Sequence, residues 1–406
     1  MSEWKECTIG DLGKIITGKT PRTAISENYG GKVPFLSPSD NMELKYVDKT
    51  NKTLTEQGVD EVKNCLLPTN AVCVSCIGSD LGKVLITTQP TVTNQQINSL
   101  IVNEDNDTDF IYYLMTIVGK HLNFISKTST AVPIINKTTF SNYKISVPLH
   151  SEQKRIAAIL SSLDEKIETN RKINARLEEL AQALFKSWFI DFEPFGGKMP
   201  EDWDYRYVSD FPHEIEPGKR PKGGVSGITE GIPSIGAESI KGIGYYDYSK
   251  TKYIPYEYAE SLKKGRIQDF DLLIYKDGGK PGYFIPDFSM MGLGFPFKEM
   301  VLNEHVFRLN FGKPELNIFA YFYFKTDDVM NYLNSVGGKA AIPGINQKNV
   351  EDIKIIDLNV TKVTEFGTIV LPMFKTILEN CKESARLAAL RDTLLPKLMS
   401  GELIPE

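Results

Sequence analysis

The 406-residue chain repeats itself at an offset of about 200 to 210 residues, which limits its fold to two copies of one large unit. Glu3-Trp4 answers Asp202-Trp203, each followed by a short strand-like run and an aspartate, Asp11 and Asp210. Gly18-Lys19-Thr20-Pro21 answers Gly218-Lys219-Arg220-Pro221, and Gly31-Lys32-Val33-Pro34 is echoed by Gly231-Ile232-Pro233. Thr93-Asn94-Gln95-Gln96 lines up with Leu302-Asn303-Glu304-His305. Ala131-Val132-Pro133-Ile134-Ile135-Asn136-Lys137 answers Ala341-Ile342-Pro343-Gly344-Ile345-Asn346-Gln347. One such match can arise by chance, but a series in the same order marks a duplication. Solenoids and propellers repeat every roughly 20–50 residues, so each copy here is a whole structural unit.

Both copies open with short, aromatic-rich runs broken by Gly, Pro, Asn and Asp, such as residues 66–77 and 272–276. That is strand-and-turn chemistry. Helix-like pieces at 108–120 and 316–333 make each globular part α+β. Both copies close differently. Ile156, Leu160, Leu163, Ile167, Asn170, Asn174, Leu177, Ala181, Leu184 and Trp188 step by fours and threes. The same stripe returns 210 residues later as Phe366, Val370, Met373, Ile377, Asn380, Ser384, Leu387, Arg391, Leu394 and Leu398. A sustained 4-3 stripe is a coiled-coil seam. A ~35-residue helix is ~50 Å long, longer than one face of its own domain. Burial of each seam Leu or Ile contributes about 1.5–3 kcal/mol, so the two helices are expected to pair. Asn170 and Asn380 weaken the seam and are candidates to set its register.

The expected architecture is an α+β protein with a pseudo-two-fold internal repeat. Two similar globular domains, residues 1–150 and 201–360, are separated by an antiparallel pair of long coiled-coil helices. Those helices occupy 151–192 and 361–406, the latter with the C-terminal tail, and a Pro/Gly-rich linker at 193–200 follows the first. Ser151 is the expected cap of the first helix.

Several function classes are excluded at this level. No apolar stretch of 18 residues exists, and the N-terminus lacks the plan of a signal peptide, so a cytoplasmic protein is expected. Five scattered cysteines argue against a disulfide framework; Cys73 and Cys76 sit in a strand-like run without a second pair at zinc-ligand spacing. No metal site is expected. The chain has no G-x-x-x-x-G-K-[ST] loop, no G-x-S-x-G, no H-E-x-x-H and no Asn/Asp-Pro-Pro-aromatic motif of amino-methyltransferases. Gly78 to Lys83 and Asp277 to Gly282 read as glycine hairpin turns. No catalytic residue is assigned. The net charge of −5 does not suit strong non-specific binding to phosphates by the isolated chain.

The residues that open and close the helices resemble a known family. Pro148-Leu149-His150-Ser151-Glu152-Gln153-Lys154-Arg155-Ile156-Ala157-Ala158-Ile159-Leu160 is similar to the signature leading into the central helix of type I restriction–modification specificity subunits. Leu163 to Ile167, Leu180 to Phe189, and Leu394 to Leu403 are also similar to that family, and the resemblance covers essentially the whole chain. The second helix departs at Leu371-Pro372, where the first has Ser161-Ser162; Pro372 suggests a helix start or kink. The resemblance implies two target-recognition domains, each reading half of a bipartite double-stranded DNA sequence. It implies that the helix pair spaces them and docks two methyltransferase subunits, with restriction subunits joining. S-adenosylmethionine, ATP and Mg²⁺ are then expected on those partners, with no cofactor on this chain.

Recognition residues can be nominated where loops recur in both copies. Lys19, Thr20 and Arg22, with Lys219, Arg220 and Lys222, offer donors in a Gly-Pro loop, a role shared with ordinary solvated turns. Asn94, Gln95 and Gln96 suit adenine in the major groove, and Asn303, Glu304 and His305 offer a different code; both asparagines also suit structural turns. Lys127, Thr128 and Lys339 are candidates for phosphate. The rival to this reading is a scaffold whose domains bind protein or carbohydrate rather than DNA, a role that the acidic balance slightly favours.

Overall fold

The computed structural model describes residues 4–42, 44–47, 49–78, 81–126, 134–278, 283–338 and 343–405. The chain divides into two compact units, one of residues 1–165 with 387–406 and the other of residues 166–386. Each long helix therefore contributes to both units.

In the first unit, a five-stranded sheet runs in the order Gly13–Thr17, Ile97–Val102, Val72–Ser75, Val84–Thr87, Tyr46–Val47. The pairings are antiparallel except the last, which is parallel. The second unit repeats this with Glu214–Pro217, Val306–Asn310, Leu272–Tyr275, Phe288–Met290 and Gly242–Ile243, again with only the last pairing parallel. A two-stranded ribbon recurs too: Lys5–Thr8 with Lys144–Val147, and Tyr205–Tyr207 with Lys354–Ile356. The sequence repeat is thus a repeat of topology. Apolar side chains on strands 72–75 and 84–87 are buried, and helix Thr108–Ser126 packs on them through Phe110, Ile111, Met115 and Val118.

The first long helix runs His150–Phe189 and the second Thr361–Met399. Ser151 is therefore inside the first turn rather than at the cap. Gln153, fully buried, donates to Asn106 Oδ1 and the Pro148 carbonyl and accepts from the Asp107 amide, tying the helix start to the loop before Thr108–Ser126. The second helix starts at Thr361 and passes through Pro372 unbroken. Pro372 and Thr368, one turn earlier, are both exposed, so the carbonyl that the proline ring cannot serve lies where water can reach it.

The helices run antiparallel within the second unit. Lys166 pairs with Glu383 at 3.1 Å. Asn170 donates to the Asn380 carbonyl, Glu383 and Ser384. Asn174 reaches the Ile377 carbonyl and Cys381 Sγ. As one helix advances, its partner recedes. Asn170 and Asn380 do not face each other side chain to side chain; the Asn380 amide donates to Asn174 Oδ1 instead. In the first unit, Ile156 and Leu160 share a core with Leu395, Leu398 and Met399, and Leu163 lies half-buried nearby.

Towards the end of the first helix, burial drifts off the expected stripe. Leu177, Leu184 and Trp188 are half-buried, while Ala181, Phe185 and Phe189 are buried fully. A straight helix of 3.6 residues per turn drifts ~20° per heptad from a 3.5 repeat. The drift is captured by an aromatic cluster in which Phe185 meets Phe189, Phe319, Phe322 and Phe366 at 5.5–5.8 Å between ring centroids. On the second helix, Ile377 is buried, whereas Met373, Leu387 and Leu394 are half-buried and Phe374 and Leu378 fully so. Among the described residues, no helix is long and apolar enough to cross a membrane.

Candidate functional site

The two loops singled out by the repeat come together in each unit. Strands Gly13–Thr17 and Glu214–Pro217 each end at a glycine that lies flat against a neighbouring turn. A Cβ on Gly18 would stand 2.1 Å from the Asn94 carbonyl oxygen, and one on Gly218 would stand 2.0 Å from that of Asn303. No other residue fits there without moving the backbone. Gly18 donates to the Ile97 carbonyl at 3.1 Å and Gly218 to that of Val306 at 3.2 Å, so both loops leave the sheet in one register.

The opposing turn is built by its asparagine. The Asn94 side-chain oxygen accepts from the Gln96 amide at 3.0 Å, and Asn303 does the same for His305 at 2.9 Å. Such an Asx turn substitutes a side chain for a backbone carbonyl. Asn94 is buried and its backbone amide donates to Leu36, as that of Asn303 donates to Ile235. A third strand of contact recurs as well: Cys76 donates to the Gln96 carbonyl and Lys276 to that of His305. The backbone frame is the same twice.

The side chains it carries differ. In the first unit, the Thr20 hydroxyl donates to Gln95 Oε1 at 2.6 Å. In the second, Arg220 pairs with Glu304 at 2.9 Å at the equivalent positions. Gln96 accepts from the Asn94 amide at 2.9 Å, whereas His305 is hydrogen-bonded to Asp277 and lies 3.4 Å from Glu304. Lys276 supports Glu304 from below by donating to its carbonyl at 2.9 Å. Lys19, Lys219 and Lys222 are exposed, and Arg22 is exposed but paired with Glu61 at 2.6 Å. Lys127, Thr128 and Lys339 lie outside the described residues.

Glu61, Asp277 and Lys276 also contribute, and the sequence gives no sign of their side-chain roles because they stand 39, 28 and 28 positions from their partners Arg22, His305 and Glu304. A second cluster joins the sheet-bearing part of the first unit to the helices. Buried Lys45 pairs with Asp109 at 2.7 Å and donates to Ser161 at 2.8 Å, and its ammonium sits 4.8 Å from the Tyr113 ring centre. Tyr113 donates to Asp164 at 2.5 Å, and burial, then the Asp164 charge, pushes its phenol well above the usual range. Beside it opens a cleft of about 460 Å³ whose lining includes Lys120, Asp164, Arg391 and Asp392. Cys73 and Cys76 are buried, and burial raises their thiols to about 12 and about 11.

A family model for the type I restriction modification DNA specificity domain matches residues 1–179. Over 99% of its length the chain is 28% identical to the type I restriction enzyme MjaIX specificity subunit of Methanocaldococcus jannaschii, covering 94% of that protein. It is 33% identical to the HindI specificity subunit of Haemophilus influenzae over 45% of this chain and 40% of the relative. The crystal structure of the type I restriction-modification S subunit from M. genitalium matches 100% of this chain and 97% of its own, with a TM-score of 0.60 at 17% identity. That last likeness is one of fold.

Proposed function

We propose that the chain is a specificity subunit of a type I restriction–modification system, a reading supported by the family model over residues 1–179 and by the full-length relative, and that its two recognition domains each read one half of a bipartite double-stranded DNA target. One observation carries this reading: a backbone frame is kept in both units, through Gly18 against Asn94 and Gly218 against Asn303, while its exposed side chains change. A shared frame with different donors and acceptors suits two different half-sites.

The chain itself performs no chemistry on this reading. Two methyltransferase subunits dock on the helix pair and use S-adenosylmethionine, and restriction subunits bring ATP and Mg²⁺; the complex works in the cytoplasm. Exposed apolar residues recur on the helices 210 residues apart, Ile159 with Ile369 and Leu180 with Leu390, which suits two equivalent partners. The acidic net charge fits a chain that relies on those partners for much of its grip on phosphate.

The test is a domain exchange. Residues 1–150 are replaced by those of another specificity subunit, and methylated motifs are mapped in cells that also express the methyltransferase. One half-site should change while the other stays. A motif unaltered in both halves would refute the assignment.

A further inference from the structure

We propose that the matched pairs Thr20–Gln95 and Arg220–Glu304 are the specificity-determining elements of the two domains, the first reading an A·T pair and the second a G·C pair. This rests on the DNA-reading function above and goes further by assigning residues and bases.

The argument is one of donors and acceptors. Gln95 Oε1 takes one hydrogen bond from Thr20, which holds the carboxamide in place. Its Nε2 meets no partner among the described residues, and Gln95 is exposed. A held carboxamide presents one acceptor beside one donor, matching N6–H and N7 of adenine in the major groove. The Thr20 methyl is suited to contact the methyl group of the paired thymine.

In the second unit, the Arg220 Nε binds Glu304 Oε1, and Arg220 meets no other partner among the described residues. Its terminal amino groups are left to donate to guanine O6 and N7. Glu304 can only accept. Glu304 is half-buried, and the oxygen that it turns toward Arg220, Oε1, can take an arriving N–H donor as well. The exocyclic amino group of cytosine is that donor, and it lies beside guanine O6 across the base pair. An arginine and a carboxylate already in contact thus present the order of groups that a G·C edge requires.

The experiment exchanges the pairs in the full chain, expressed with its methyltransferase. Arg220→Thr with Glu304→Gln gives the second unit the chemistry of the first; Thr20→Arg with Gln95→Glu does the reverse. Methylated motifs are mapped for both variants and the wild type. The first variant should change one position of the second half-site from G·C to A·T, and the second should change one position of the first half-site from A·T to G·C. The other half-site and the spacing should be kept in each. Preference for the new base pair over the old should be about 5- to 150-fold, the equivalent of ~1–3 kcal/mol. Motifs unaltered in both variants, with methylation falling at all sites together, would overturn the assignment and leave these pairs as phosphate or turn contacts. A wild-type chain yielding no bipartite motif would instead overturn the DNA-reading function itself.

Discussion

Arg391, on the second long helix, donates to Asp164, on the first, at 2.7 Å, while Tyr113 of helix Thr108–Ser126 holds the other oxygen of the same carboxylate. One side chain thereby joins three elements of the first unit. Asp164→Ala should leave a buried phenol without its acceptor and Arg391 with Asp392 alone, and cost about 2 kcal/mol, below the full cost of breaking a buried pair because Arg391 is partly exposed and keeps that second partner. Denaturant unfolding of the full chain measures this. Asp164→Asn, which keeps an acceptor, should cost less.

A pH dependence follows from Glu383. Hydrogen bonding by Asn170, then by Lys166, holds its carboxyl below the ordinary value of 4.5. A depressed folded-state value means that its contribution is present above the ordinary value and is lost as pH falls through the lower one. Asn170→Ala removes the larger cause, so the carboxyl should titrate closer to 4.5 and this share of the acid sensitivity should shrink. Side-chain carbon chemical shifts followed from about pH 6 to pH 2 would show it; an unshifted titration would mean that the seam contact does not exist in solution.

The two loop glycines should be functionally separable. Gly18→Ala drives a methyl group into the Asn94 carbonyl and Gly218→Ala into that of Asn303. Each should relax or abolish reading of its own half-site and leave the other half-site intact, as seen in motif mapping. Loss of both half-sites from one substitution would indicate a global fault rather than a displaced loop.

The thiols give a chemical check on the core. With burial raising Cys73 and Cys76 to about 12 and about 11, about one thiol in a thousand or fewer is ionised at pH 8. Both should resist an aromatic disulfide reagent in the native protein and react once it is unfolded in guanidinium. Rapid native labelling of either would show that strand Val72–Ser75 or its neighbour is open.

The duplication, the α+β character, the two long helices and the residues of the recurring loops were legible in the linear chain, because periodicity and self-similarity are local or simply additive along it. Gly18 and Gly218 announced a turn, and Asn94 and Asn303 a capping oxygen, since both effects act over a few residues. Which side chains meet was decided only by folding. The helix drift that buries Phe185 and Phe189 in place of Leu184 and Trp188 depends on what packs alongside. The Asn170 contact with Glu383, the tie from Lys45 to Asp109 and Ser161, and the pairing of Thr20 with Gln95 and Arg220 with Glu304 join residues tens to hundreds of positions apart. Such contacts depend on sheet register and helix direction, and those are set by the burial of the whole core rather than by any short segment of chain.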